Sequence, residues 1–148
     1  MTPARVVGDP GAILGLDHGA RRIGVAIAAA GTTLAVPLEV IDAEATDAVA
    51  RLVDLIRGRG VSMVVIGRPT MLSGAEGSGV DDARAFATAL TAATGIEVVE
   101  HDERMTTVMA ERNLRDAGVT QSRRKELKDA VAAQVILQSY LDVDRDRP

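Results

Sequence analysis

The sequence predicts one α/β domain, a mixed β-sheet whose later strands are joined by right-handed helical crossovers. Three observations carry this. Ala12–Leu16, Ile23–Ala28 and Thr32–Val36 follow one another across short turns, the spacing of an antiparallel meander. Val61–Ile66 is an apolar run rich in β-branched residues, the pattern of a strand covered on both faces. Segments of helical period lie between and after these strands, so helix and strand alternate through the second half. At 148 residues the chain buries enough surface for a single core and seldom two.

Residues 1–11 are polar, with Pro3, Pro10 and Gly11, and read as a flexible arm before a domain over residues 12–141. The first strand, Ala12–Leu16, ends at Asp17. The run His18-Gly19-Ala20-Arg21-Arg22 then turns the chain into Ile23–Ala28, making a hairpin with a basic tip. Pro37 closes the third strand, with Leu38–Ile41 offering a continuation. From Thr46 to Arg57 the residues Val49, Leu52, Val53 and Ile56 share one helical face, and Gly58 and Gly60 stop the helix.

After the strand Val61–Ile66 comes the glycine-rich stretch Gly67 to Gly79, of a length usually reserved for function. Ser78 and Asp81 have the spacing of a capping box and open a helix with Ala83, Phe86, Ala87 and Leu90 on its buried face, ended near Gly95. Ile96–Val99 is a fifth strand. Thr106 or Thr107 can cap a helix to Asp116 with Gly118 as its stop, and Ser122 another over Arg123–Leu141. Residues 142–148 read as a frayed tail.

Composition removes several functions. The absence of cysteine excludes disulfide frameworks, thiolate zinc sites and thiol nucleophiles, and two histidines argue against a histidine-built metal site. Any metal is then held by oxygen. A net charge of −4 removes the argument for a strongly basic nucleic-acid binder while leaving room for a local basic surface. Phe86 and Tyr140 are the whole aromatic supply, too few for stacking single-stranded bases. No apolar run approaches the roughly 20 residues of a membrane span, and MTPARVVGDPG lacks a signal-peptide core. The expectation is a cytoplasmic protein with no membrane partner.

Three acidic positions could carry chemistry. Asp17 stands where a buried strand meets a glycine turn, and sites in open α/β sheets form outside the carboxyl ends of strands; organising that turn is an equally good reading. Glu100-His101-Asp102-Glu103-Arg104 follows the fifth strand, so at least one carboxylate reaches the same sheet edge. Alternation does not choose between Asp102 and Glu103, and acids favoured at a helix start are an equally common explanation. Asp129 begins a stripe continued by Ala132, Ala133, Ile136 and Tyr140, so it points at the body. A carboxylate there needs a cationic partner or a metal, and an ion pair is the commoner outcome.

Those positions share one possibility, hard oxygen ligands converging on Mg²⁺ or Mn²⁺. Two such ions about 4 Å apart activate water and stabilise the leaving oxygen in phosphodiester hydrolysis. His18 and His101 read as polar turn residues. Arg21, Arg22, Arg68, Arg104, Arg123, Arg124, Lys125 and Lys128 cluster near the acids and suit phosphate contacts, although a charge run is usually a solvated face.

The segments Leu14-Gly15-Leu16-Asp17-His18-Gly19 with Arg22-Ile23-Gly24-Val25-Ala26, Val65-Ile66-Gly67-Arg68-Pro69 with Gly74-Ala75-Glu76-Gly77, His101-Asp102-Glu103-Arg104-Met105-Thr106-Thr107, and Asp129-Ala130-Val131-Ala132-Ala133 with Ile136-Leu137-Gln138-Ser139-Tyr140-Leu141 closely resemble the bacterial YqgF family, also called RuvX. The resemblance implies a ribonuclease H-like fold with a five-stranded mixed sheet in order 3-2-1-4-5 and helices on both faces. It also implies a cytoplasmic metal-dependent endonuclease, processing the 5′ end of the pre-16S rRNA in ribosome biogenesis. Asp17, Glu103 and Asp129 become the metal ligands, with Asp102 in reserve for Glu103. Where ribonuclease H-like enzymes often carry an acid at the end of the fourth strand this chain has Gly67, and Glu76 could supply the missing carboxylate. Arg68-Pro69-Thr70 also departs from the family, which commonly has an apolar residue before this proline.

Other classes remain to be weighed. A Holliday junction resolvase acting on branched DNA would call for a homodimer with two symmetric sites. Asp17-His18-Gly19 with Arg22-Ile23-Gly24 also looks like the first phosphate motif of the actin and sugar-kinase superfamily, but such nucleotide-binding modules need two domains. A non-catalytic RNA-processing factor would keep the acids for shape alone.

Overall fold

A tight hairpin starts the sheet. β1 (Ala12–His18) and β2 (Arg22–Ala28) pair antiparallel, with Asp17 opposite Gly24, and the Gly19 amide donates to the Arg22 carbonyl at 3.0 Å to close the turn. The computed structural model describes residues 11–19, 21–68, 78–102 and 121–145. Beyond the hairpin these form β3 (Ala35–Asp42), α1 (Ala48–Arg59), β4 (Val61–Arg68), α2 (Ser78–Thr94), β5 (Glu97–Asp102) and α3 (Gln121–Arg145). β3 is antiparallel to β2, β4 parallel to β1 and β5 parallel to β4, giving the order β3-β2-β1-β4-β5. That is the order the family resemblance implied.

Helix ends follow local chemistry. The Asp47 carboxylate accepts from the Ala50 amide at 3.2 Å to cap α1, and Gly60, at φ 65°, ends it with an N–H bonded to the Ile56 carbonyl. Gly95, at φ 74°, ends α2 in the same left-handed conformation.

Several boundaries differ from the sequence reading: β1 runs on through Asp17 to His18, α1 passes through Gly58 to Arg59, β4 takes in Gly67 and Arg68, and β5 spans Glu97–Asp102 rather than Ile96–Val99. The third strand starts at Ala35 rather than Thr32 and runs through Pro37 to Asp42. Thr32 is taken up by a turn, its amide and hydroxyl both donating to the Ala29 carbonyl. Pro37 fits because β3 is an edge strand and the register with β2 shifts between Val25 and Ala26. α3 continues to Arg145, into the stretch expected to fray. The predicted helix up to Asp116, the arm over 1–10 and the loop over 69–77 lie outside the described residues.

Period-2 alternation sends successive strand residues to opposite layers. On one face Leu14, Leu16, Ile23, Val25, Val64 and Ile66 pack with Leu52, Leu55 and Ile56 of α1 and Ala83 and Leu90 of α2. On the other, Ala26, Ala28, Ala35 and Val65 receive Ala133, Ile136, Leu137 and Leu141 of α3. Each fully buried Leu or Ile contributes about 1.5–3 kcal/mol. Small residues on the α3 side let the helix close in, and a Cβ at Gly15 would stand 2.6 Å from the Leu137 Cβ and 2.9 Å from the Ala133 carbonyl. Gln138 ties α3 to the sheet edge, accepting from the Ala35 amide and donating to the Thr33 carbonyl, each at 2.9 Å. Among the described residues no helix is long and apolar enough to cross a membrane.

Candidate active site

The register sets the geometry of the rim. Leu16 pairs with Ile66 and Ile66 with Glu100, while Gly67 pairs with His101. Asp17, one step beyond Leu16, therefore stands at the level of Gly67 and His101 at the carboxyl ends of the parallel strands. By alternation it shares the α3 side of the sheet with Gly15.

Gly24, the cross-strand partner of Asp17, brings the second acid in. A Cβ built there would overlap the carbonyl of Asp129 and stand 3.0 Å from the Ala130 amide, so the backbone of α3 rests directly on β2 at this point. Gly24 is thus paired with Asp17 in the sheet and carries the backbone of Asp129 on its face. Of the expected stripe on α3, Ala133 and Ile136 are fully buried, while Ala132 and Tyr140 are half-buried.

Asp129 does have a cationic neighbour. Its Oδ2 lies 3.5 Å from the Nε of Arg22, and the two side chains are 36% and 69% exposed. The contact is long and open to solvent, the kind worth about 0–1 kcal/mol. It leaves the carboxylate accessible rather than sealing it behind a guanidinium. Arg21 is exposed with its Nε 3.5 Å from Glu44 Oε1, and Lys128 is exposed beside Asp129.

The histidines do more than turn the chain. The His18 ring packs on Phe86 of α2 with centroids 4.9 Å apart. Burial pushes its imidazole below the ordinary value of 6.5, partly offset by Asp82 and a backbone hydrogen bond. His101 reaches the opposite layer, its Nε2 2.9 Å from Ser139 Oγ and its ring edge-on to Tyr140 of α3. Glu100 is engaged with α2 through Arg84, at 3.5 Å. Sequence reasoning found neither of these links. It also passed over Gly24, although a glycine inside a strand is a known mark of close backbone approach.

Glu76, Glu103 and Arg104 lie outside the described residues. Arg68, Asp102, Arg123, Arg124 and Lys125 are placed on their elements by the backbone, Arg68 opposite Asp102 in the β4–β5 register. Among the described residues no group of three acids or histidines gathers around one point. What is described fits a hard cation nonetheless. Asp17 on β1 and Asp129 on α3 supply hard carboxylate oxygens on one layer of the sheet, and the missing side chain of Gly24 lets the backbone that carries Asp129 sit close to the strand.

This sheet order, with α1 and α2 on one layer and α3 on the other, is the ribonuclease H-like fold of RuvC-type nucleases. Divalent metal ions are the general cofactor of that class. T. thermophilus RuvC in complex with a Holliday junction substrate superposes with a TM-score of 0.61 at 16% identity, over 92% of this chain and 96% of that one. The Fowlpox virus resolvase bound to Holliday junction DNA gives 0.61 at 10% identity, over 89% and 97%. The family described as "RuvX: Holliday junction resolvase" matches residues 11–143, and the chain belongs to that family. A Chloroflexus aurantiacus protein named "Putative pre-16S rRNA nuclease" is 44% identical over 137 residues, covering 92% of this chain and 90% of the relative. One of the same name from Pelotomaculum thermopropionicum is 40% identical over 132 residues, covering 88% and 86%. The chain is accordingly a nuclease, a hydrolase of phosphodiester bonds.

Proposed function

We propose that this nuclease is a divalent-metal-dependent endonuclease that trims structured RNA, with the 5′ end of the pre-16S rRNA as its substrate. The observation that carries the reading is the seat of the Asp129 backbone on Gly24, the register partner of Asp17. Asp17, Asp129 and Glu103 hold Mg²⁺ or Mn²⁺, as a pair of ions. Glu103 is preferred, with Asp102 in reserve, as the acid the family resemblance implies for the segment that follows β5. When bound, the metal supplies an activated water and charge stabilisation at the leaving oxygen. Arg21, Arg22 and Lys128 at the rim, with Arg68, Arg104, Arg123, Arg124 and Lys125, grip phosphates and orient the strand. Names carried by relatives support RNA over branched DNA.

Cleavage of a pre-16S rRNA fragment and of a four-way DNA junction, each with and without Mg²⁺, tests the reading. The expected result is Mg²⁺-dependent cleavage of the RNA, abolished in Asp17→Asn and in Asp129→Asn. Preferential cleavage of the junction would transfer the substrate to branched DNA. Undiminished activity in both variants would reject the site.

A further inference from the structure

Arg22 begins β2 two residues before Gly24, so alternation sends both toward α3. The close seat of α3 on Gly24 is what carries Asp129 to within 3.5 Å of the Arg22 guanidinium. Asp17, the register partner of Gly24, lies on the same layer, and a positive charge beside Asp129 offsets repulsion between like charges at this rim. Yet Arg22 stays 69% exposed and meets Asp129 through a long contact. Its adjacent residue Arg21 turns elsewhere, to Glu44. A guanidinium held this loosely is positioned to leave.

Resting on the nuclease reading above, we infer that Arg22 is a displaceable counter-ion of the site: it neutralises Asp129 while no cation is bound and is released to a substrate phosphate when a divalent ion takes that carboxylate. The competition is electrostatic, because a doubly charged ion and a guanidinium cannot both hold Asp129 at full strength. Once freed, the planar fork of Arg22 suits two oxygens of one phosphate better than an ammonium does. Cation and nucleic acid are thereby coupled, and the coupling is reciprocal, so each raises the affinity for the other. Arg22 is on this account a substrate-binding residue whose availability is set by the metal.

The test is calorimetric titration of the full chain with Mn²⁺, for the wild type, Arg22→Gln, Arg22→Lys and Asp129→Asn, with melting temperatures checked first. Removing the competing charge should tighten Mn²⁺ binding about three- to fivefold in Arg22→Gln, the range set by an exposed pair. Arg22→Lys, which keeps the charge, should stay near the wild type. In the second arm Ca²⁺ should strengthen binding of a structured RNA to the wild type, and should do so less for Arg22→Gln. Unchanged or weaker Mn²⁺ binding by a folded Arg22→Gln overturns the inference while leaving the nuclease reading intact. A wild type that takes no divalent ion, with Asp129→Asn indistinguishable from it, removes both.

Discussion

Gly24 and Asp129 meet backbone to backbone, so closely that a single methyl group on the glycine would overlap the carbonyl of the acid. Gly24 is also the register partner of Asp17, so one missing side chain governs how closely the backbone that carries Asp129 sits on the strand beside Asp17.

Gly24→Ala measures that dependence. In an open strand the change would gain about 0.5–1 kcal/mol by restricting the unfolded chain. Here the overlap involves backbone on both sides, which cannot rotate away, so overpacking decides the sign. A net loss of about 1–3 kcal/mol in urea unfolding is expected, together with weakened Mn²⁺ binding, because α3 must lift and carry Asp129 with it. A variant as stable as the wild type would show that α3 has room the geometry denies.

Binding of a cation between Asp17 and Asp129 should stabilise the fold by mass action. At a free concentration 100 times the dissociation constant the gain is about 2.7 kcal/mol, readable as a rise in melting temperature. Asp17→Asn and Asp129→Asn should each lose the rise produced by Mg²⁺, measured against the same variant in chelator. An equal rise in both variants would place the stabilising cation elsewhere.

Much of this was legible in the sequence, and the rest was hidden for identifiable reasons. Strand-sized apolar runs and helix-stopping glycines placed the elements because periodicity and left-handed caps are local properties. Asp129 was legible because its stripe of small and apolar residues has helical spacing. The start of β3 was not, since Gln138, about a hundred positions away, bonds to Ala35 and Thr33 and so fixes where the strand begins. Gly24 looked like one small residue among many, and only its register to Asp17 and the seat of α3 reveal its task. His101 and Glu100, adjacent in sequence, serve opposite layers through Ser139 and Arg84, which the composition of the segment could not distinguish.

His18 makes stability depend on pH. Burial lowers its pKa in the folded state, so below 6.5 the unfolded chain takes up a proton that the native protein resists. Stability contributed by the neutral ring is complete above 6.5, declines as the pH falls from there, and levels off once the folded form is protonated too. Unfolding free energies from pH 8 to pH 5 in metal-free buffer should show this decline in the wild type and a shallower one in His18→Gln. Parallel curves would mean that the ring is solvated in spite of its contact with Phe86.

Ser139 joins the rim to the helix that carries Asp129. His101 is half-buried, and its Nε2 finds the Ser139 hydroxyl at 2.9 Å, while Tyr140 holds the ring edge-on. Removing the hydroxyl in Ser139→Ala leaves an imidazole nitrogen short of a partner, at a cost of about 1–3 kcal/mol. It also loosens the end of β5 from α3. Since α3 carries Asp129 and β5 ends one residue before Glu103 in the chain, kcat for RNA cleavage at saturating Mg²⁺ should fall while KM for the RNA changes little, the phosphate-gripping arginines being untouched. Ser139→Thr, which retains a hydroxyl, should recover most of the rate. If kcat instead survives in Ser139→Ala despite the expected loss of stability, the link between His101 and Ser139 braces the fold alone and the acids keep their spacing by the seat of α3 on Gly24.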